Sequence, residues 1–284
     1  MIENNPHTRQ GNLNNYFLLF ALCVAFFTAY YPVWKNLVSA WANDENYSHG
    51  FVIVPLALFI LWRRRGQLQK AVSPAQSKGL ILVGASLLGY IFALAGEIET
   101  PASISMIFFL GGTIWYVWGF RVLRLSLFPL ALLVLMIPVP AQLLAALTIP
   151  LQLLVTRIAG MLARAMGIPI FIEGNLIRLP LQTFEVVDAC SGLRSIMSLV
   201  TLGAFMGYFA LETLWQRLAL IASALPIAIV ANSVRVLAMV IFSFYFNIDL
   251  LHGDVHTIFG MGIFVVSLCL FFGVQKILAQ CRKR

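Results

Sequence analysis

Long apolar segments recur along this 284-residue sequence and dominate what it can fold into. The longer ones reach the ~20 residues that a helix needs to cross a lipid bilayer. Only 11% of the residues are charged, whereas an average soluble domain has roughly 25%. Too little polar surface therefore remains to cover a water-soluble globule. The sequence predicts an all-α fold, a polytopic transmembrane helical bundle.

Eight apolar runs are predicted to span the membrane. They are Tyr16–Trp34, Phe51–Trp62, Gly79–Gly96, Ala102–Gly119, Leu125–Ile137, Ser195–Leu211, Leu218–Phe246 and Thr257–Leu278. A ninth stretch, Leu147–Met166, carries Arg157 and Arg164, so we expect it to be an interfacial or re-entrant helix. The predicted transmembrane domain covers residues 16–278. We expect residues 1–15 to form a mobile cytoplasmic N-terminus and residues 279–284 a basic cytoplasmic tail.

Charged residues predict the orientation of the chain, because positively charged loops stay on the cytoplasmic side of a membrane. With eight spans, the loops rich in Lys and Arg fall on one side, together with the basic C-terminus. Nine of the eleven acidic residues fall on the opposite side. If Leu147–Met166 crossed the membrane fully, every later loop would change sides. The basic residues form no single patch with interleaved aromatic side chains, so the net charge of +8 does not indicate a nucleic-acid partner.

Cys190 is the strongest candidate for chemistry. It lies in the motif Ala189-Cys190-Ser191-Gly192, where a polar loop enters an apolar run. The pKa of a cysteine thiol falls beside cationic groups or at a helix N-terminus, where unpaired backbone N–H groups also suit an oxyanion. No CxxC or paired spacing among the four cysteines indicates a metal site or disulfide framework. We interpret Cys190 as a nucleophile; the alternative is a small residue that fills helix packing.

Arg235 and His256 are the other two candidate catalytic residues. A guanidinium inside a membrane span is costly and usually faces the bundle interior or a wet cavity, although Arg235 could instead snorkel to the headgroups or pair with Asp188. His256 immediately precedes the last apolar run and suits acid–base catalysis near neutral pH; alternatively, it satisfies the free backbone groups at a helix start. Gly260 lies one turn later, where it would let another helix approach closely. Eight-span counting brings all three candidates to the outer membrane face.

Five further residues are candidates for supporting roles: Asp188, Arg194, Asn232, Glu173 and His49. Asp188 and Arg194 flank the cysteine and either orient Arg235 or His256 or pair with each other. Glu173 lies in the stretch 168–185, which is typical of irregular or β-like structure. His49 lies at the outer mouth of the second span, where it lines the same cavity or caps the helix.

Two other chemistries fit the sequence less well. His252 and His256 have the spacing of zinc ligands on a helix, but the glutamate that a zincin needs after the first histidine is replaced by Gly253. Ser191 and Ser195 have no GxSxG elbow, and the adjacent thiol is the better nucleophile. We therefore predict neither a metal ion nor another cofactor.

The motifs Ala189-Cys190-Ser191-Gly192-Leu193-Arg194-Ser195, Asn232-x-x-Arg235 and His256-x-x-x-Gly260 resemble those of the exosortase/archaeosortase family. Further similarity lies in Ser48-His49-Gly50-Phe51, in Trp62-Arg63-Arg64-Arg65 and in Glu173-Gly174-Asn175. The resemblance extends from about Tyr47 to Gly260.

The resemblance to exosortases implies a membrane protease or transpeptidase of bacteria with an outer membrane, often encoded near exopolysaccharide genes. Its partners would be the lipid bilayer and exported proteins that end in a Pro-Glu-Pro motif, a transmembrane helix and a basic tail. By the family pattern, Cys190 is the nucleophile and Arg235 and His256 are its partners, in an inner-membrane site facing the periplasm.

Two functions of other classes also stay open from the residues. An envelope transporter, or a protein that handles lipid-linked exopolysaccharide, would also contain an intramembrane arginine and broken helices. A non-enzymatic assembly protein would tolerate replacement of Cys190, Arg235 and His256 one at a time.

Overall fold

The computed structural model describes residues 24–180, 183–186, 193–246 and 253–281, of which 184, 185 and 253–257 are described by their backbone alone. Within these ranges the chain is almost entirely helical, which confirms the all-α polytopic prediction. The predicted N-terminal segment 1–15 and residues 282–284 of the basic tail lie outside the described residues. Residues 24–29 are helical and lead through a turn at Tyr30 into the first helix that we number.

The helices and strands follow in this order: α1 (Tyr31–Asn43), α2 (Gly50–Arg63), α3 (Arg65–Ala71), α4 (Lys78–Ala95), α5 (Glu99–Trp118), α6 (Phe120–Val134), α7 (Ala141–Ala165), β1 (Phe171–Glu173), β2 (Leu176–Arg178), β3 (Thr183–Glu185), α8 (Leu193–Ala210), α9 (Leu214–Phe246) and α10 (Gly253–Gln280).

Six described helices are long and apolar enough to cross a membrane: α4, α5, α7, α8, α9 and the 258–280 portion of α10. The predicted second and fifth spans correspond to α2 and α6, with 14 and 15 residues. Both are shorter than the ~20 residues of a typical spanning helix. The prediction of a polytopic helical membrane protein is confirmed, with the number of spans approximate.

Helix α7 contains all but the last residue of the stretch Leu147–Met166, which is predicted to be interfacial or re-entrant. It is a continuous helix of 25 residues with Pro150 in its interior, and by length and composition it is a candidate span. Its buried face carries small or polar side chains such as Thr148, Gln152 and Ala159. Arg157 and Arg164, which motivated the interfacial prediction, lie on exposed positions. Long cationic side chains at such positions reach toward headgroups while their stems stay apolar.

The described chain divides into two compact units. The first comprises the described residues up to Asp44 together with Gly50–Pro138. Its centre is the antiparallel pair α4 and α5, which approach closely at Gly79, where an added Cβ would meet the backbone nitrogen of Tyr116 at 2.4 Å. The indole of Trp41 donates a hydrogen bond of 2.9 Å to the carbonyl of Met136 and so ties α1 to the segment after α6.

The second unit comprises Glu45–His49 together with the described residues from Val139 onward. Helix α9 is its centre and packs against α7, α8 and α10. Two apolar clusters fill the unit. One joins α8, α9 and α10 around the fully buried Phe271, and the other joins α7 and α9 to the small sheet through residues such as Val155, Ile177 and Val236.

The sheet is antiparallel, with strand order β1-β2-β3. Its register pairs Ile172 with Ile177 and Ile177 with Phe184. Gly174 takes a positive φ of 63° in the β1–β2 turn, a conformation that favours glycine. The β-like stretch predicted at 168–185 therefore contains real strands, and β3 leads the chain toward Cys190.

Candidate active site

The three helices that follow or contain the predicted catalytic residues pack against one another. Helix α8 begins three residues after Cys190, α9 contains Arg235, and α10 contains His256; α8–α9, α9–α10 and α8–α10 are all in contact. Gln216, near the start of α9, donates a hydrogen bond of 2.8 Å to the carbonyl of Leu278, near the end of α10. The two helices are therefore antiparallel, and the second half of α9 lies beside the beginning of α10.

Arg235 lies where the second half of α9 meets the beginning of α10. Its side chain is half-buried, and its Nε atom is inaccessible to solvent. A Cβ atom added to Gly260 of α10 would lie 2.9 Å from Nη2 and 3.2 Å from Cζ of Arg235. The guanidinium thus packs directly on the α10 backbone. It points into the helix bundle, as expected of a functional arginine within a membrane span.

The backbone of His256 is helical and lies in the first turn of α10. Four residues separate it from Gly260, which corresponds to about 6 Å along a helix axis. Since the Arg235 guanidinium contacts Gly260, two of the three predicted catalytic positions lie about one helical turn apart.

Cys190 and Asp188 lie outside the described residues, but both flanks of their segment are placed. On one side, Val186 is buried and its backbone N–H donates a bond of 2.9 Å to the carbonyl of Asn175. On the other side, Leu193 is buried at the start of α8. At ~1.5 Å per residue, Leu193 lies about 26 Å and Arg235 about 32 Å from the α8–α9 turn. The start of α8 and Arg235 therefore lie near the same end of this helical hairpin.

The remaining candidates have identifiable surroundings. Glu173 accepts a 2.7 Å charge-assisted bond from Arg178 across the β1–β2 hairpin, and both side chains are exposed. Asn232 is buried in α9, one turn before Arg235. His49 is half-buried, and its ring lies 6.4 Å from that of Tyr47, within the segment Glu45–His49 that groups with the second unit.

Arg194 forms an ion pair with Glu45. Sequence reasoning considered Asp188 as its partner and treated Glu45 only as part of an acidic outer loop. The buried Tyr47 adds a second anchor, because its hydroxyl accepts a 3.0 Å hydrogen bond from the backbone N–H of Val139. These two contacts hold Glu45–His49 against the start of α8 and the start of α7. No local pattern could have revealed the ion pair, because its partners are 149 residues apart.

We predict that the Glu45–Arg194 pair adjusts activity without controlling folding. Its side chains are 74% and 50% exposed, and exposed pairs typically contribute ~0–1 kcal/mol. Glu45→Gln should therefore lower turnover by no more than about fivefold and leave the melting temperature unchanged. Glu45→Arg should lower turnover further, and the double variant Glu45→Arg/Arg194→Glu should restore it. Failure of the charge exchange to restore turnover would show that the pair does not act as a unit.

The fold is that of a multi-pass helical membrane protein. The family model for transmembrane exosortases matches residues 41–273, which include Cys190, Arg235 and His256. This chain belongs to the transmembrane exosortase family, a class of membrane-embedded sorting peptidases and transpeptidases. The comparisons with curated proteins and with solved structures found no match. The resemblance drawn from the sequence motifs is thereby confirmed at the level of the family.

Proposed function

We propose that this protein is a cysteine peptidase or transpeptidase that cleaves C-terminal sorting signals of exported membrane-anchored proteins through a thioacyl-enzyme. The observation that best supports the proposal is the contact between the Arg235 guanidinium and Gly260, one turn from His256. An arginine turned into the bundle beside a histidine position is consistent with a site that stabilises developing negative charge. The family match favours this class over the transporter and assembly alternatives.

In the first chemical step, the Cys190 thiolate attacks the scissile carbonyl carbon and forms a tetrahedral intermediate. Arg235 is the residue assigned to stabilise the thiolate or the oxyanion, because its charge persists at every physiological pH. The intermediate collapses by breaking the C–N bond. His256 donates a proton to the departing amine, and a thioester on Cys190 remains.

In the second step, water or an external amine or hydroxyl attacks the thioester carbonyl. His256, now neutral, accepts the proton of this nucleophile, and the C–S bond breaks to regenerate the Cys190 thiolate. Hydrolysis and transfer differ only in the attacking group, so the same three residues serve both outcomes.

The substrate's own transmembrane helix is proposed to dock laterally against the bundle. This would bring its sorting motif to the membrane interface beside Cys190. The proposed orientation has both termini in the cytoplasm and the active site facing the periplasm of a bacterial inner membrane. The length of α10 supports a site and a basic tail on opposite faces of the membrane: Gly260 and Leu278 are about 27 Å apart along α10 at ~1.5 Å per residue, close to the ~30 Å hydrocarbon thickness of a bilayer. Lys276 and the basic tail lie at the far end of α10.

Alkylation with iodoacetamide tests the assignment of the nucleophile. Progressive modification of Cys190, followed by mass spectrometry, should abolish cleavage of a membrane-anchored reporter with a C-terminal sorting signal in proportion to the modified fraction. Prior addition of the reporter should slow this modification. The exposed thiol of Cys281, which follows the end of α10, serves as an internal control, because its modification should leave cleavage intact. Full cleavage by protein completely alkylated at Cys190 would refute the proposal.

A further inference from the structure

Two glycines of α10 lie two residues apart in opposite surroundings. A Cβ atom added to Gly260 would lie 2.9 Å from Nη2, 3.2 Å from Cζ and 3.6 Å from Nη1 of Arg235. A Cβ atom added to Gly262 would have no neighbour within 4 Å among the described residues. The first separation is shorter than ordinary van der Waals contact. The guanidinium therefore occupies the space that a side chain at position 260 would need.

Gly260 does not act here as a glycine that brings two helix backbones together. Such a glycine is Gly79, where an added Cβ would meet backbone atoms of Tyr116 and Gly112 at 2.4 to 2.8 Å. At Gly260, by contrast, the three nearest atoms in the described part of the chain all belong to the Arg235 guanidinium. The sequence predicted close approach of a helix, whereas the structure shows close approach of one charged side chain.

The location of this contact explains why the Arg235 guanidinium needs open space at position 260. Long cationic side chains in a membrane helix tend to extend toward the headgroups. Arg235 is instead half-buried, with its Nε atom inaccessible to solvent. Glycine also weakens the interior of a helix relative to alanine, so position 260 carries a local cost in exchange for the open space.

We infer that Gly260 is a positioning residue whose missing side chain seats the Arg235 guanidinium and fixes its location relative to the start of α10. This inference rests on the proposed function, in which Arg235 stabilises charge at the scissile carbonyl. A displaced guanidinium would keep its charge but lose its alignment, and misplacement of about 1 Å in a catalytic group can lower the rate by ~100-fold.

Gly260→Ala and Gly262→Ala form a matched pair for the kinetic test. Because the atom nearest to the new methyl group is the end of a flexible side chain, Gly260→Ala should fold with a melting temperature near that of the parent. Its kcat for cleavage of the tailed reporter should fall at least 10-fold with little change in KM. Gly262→Ala should retain parental kcat. Equal kcat values for the two variants would overturn the inference.

A double-mutant cycle then tests whether Gly260 acts through Arg235. In an Arg235→Lys background, Gly260→Ala should change the remaining kcat by less than twofold, because the planar guanidinium that the methyl group would displace is absent. If the kcat losses of Gly260→Ala and Arg235→Lys instead multiply in the double variant, Gly260 does not act through Arg235.

Phenylglyoxal modification of Arg235, followed by peptide mass spectrometry, gives a measurement that does not depend on cleavage. Gly260→Ala should accelerate this modification at least threefold, and Gly262→Ala should not. An unchanged rate of Arg235 modification in Gly260→Ala would show that Gly260 does not hold the guanidinium in place. If Gly260→Ala accelerates the modification of Arg235 but Cys190→Ala still processes substrate, the proposed function fails, whereas the positioning of Arg235 by Gly260 is supported.

Discussion

Cys190→Ala is expected to lower cleavage of a cognate tailed protein at least ~1000-fold, because loss of a catalytic nucleophile removes the covalent route. Cys190→Ser should also be strongly impaired, because a serine hydroxyl is far less ionised than a thiol near neutral pH. The conversion of full-length substrate to its shorter product, followed by immunoblot in the native membrane, measures both variants.

The cysteine series has its controls within the same chain. Cys269 lies on an exposed face of α10 and Cys281 follows the end of that helix, and both are free thiols. Cys269→Ala and Cys281→Ala should process substrate at the parental rate. Full processing by Cys190→Ala would remove the nucleophile assignment, and activity that persists in every variant would favour a transporter or assembly role.

Arg235→Lys is expected to lower kcat by roughly 100-fold, which is the usual cost of losing an oriented donor to an oxyanion. Lysine keeps the positive charge, but it offers a point charge in place of the planar fork that packs on Gly260. A single-turnover assay of product release should show the loss in the acylation step.

Arg157→Lys is the matched control for this change. It is the same substitution in a membrane-length helix, at an exposed position of α7. Its turnover should equal that of the parent. Parental turnover by Arg235→Lys would instead show that positive charge alone suffices and that the orientation of the guanidinium is irrelevant.

Much of the architecture follows from the spacing of apolar residues. Apolar runs alone predicted where α4, α5, α8, α9 and α10 lie, because a membrane-length helix must be apolar over about 20 residues. The same cost argument predicted that Arg235 faces the bundle interior, and the structure places it against α10. Local spacing also predicted that Gly260 would accommodate a close neighbour.

The features that sequence reasoning missed depend on contacts between distant parts of the chain. The interfacial or re-entrant prediction for Leu147–Met166 stays a prediction, but the sequence did not indicate that a small and polar face of α7 packs on α9. The partner of Arg194 is Glu45, and the neighbour of Gly260 is a guanidinium rather than a helix backbone. Tertiary packing determines each of these contacts, and no residue periodicity encodes it.

Mass spectrometry of the enzyme quenched during turnover tests the central claim most directly. Acid quenching of the reaction with a slowly cleaved tailed substrate should trap a population whose mass is increased by the acyl portion of that substrate. Peptide mapping should locate the adduct on Cys190 as a thioester that hydroxylamine releases. Arg235→Lys should reduce the amount of adduct formed, and Cys190→Ala should form none. Sustained turnover with no adduct, or an adduct on any other residue, would contradict the account.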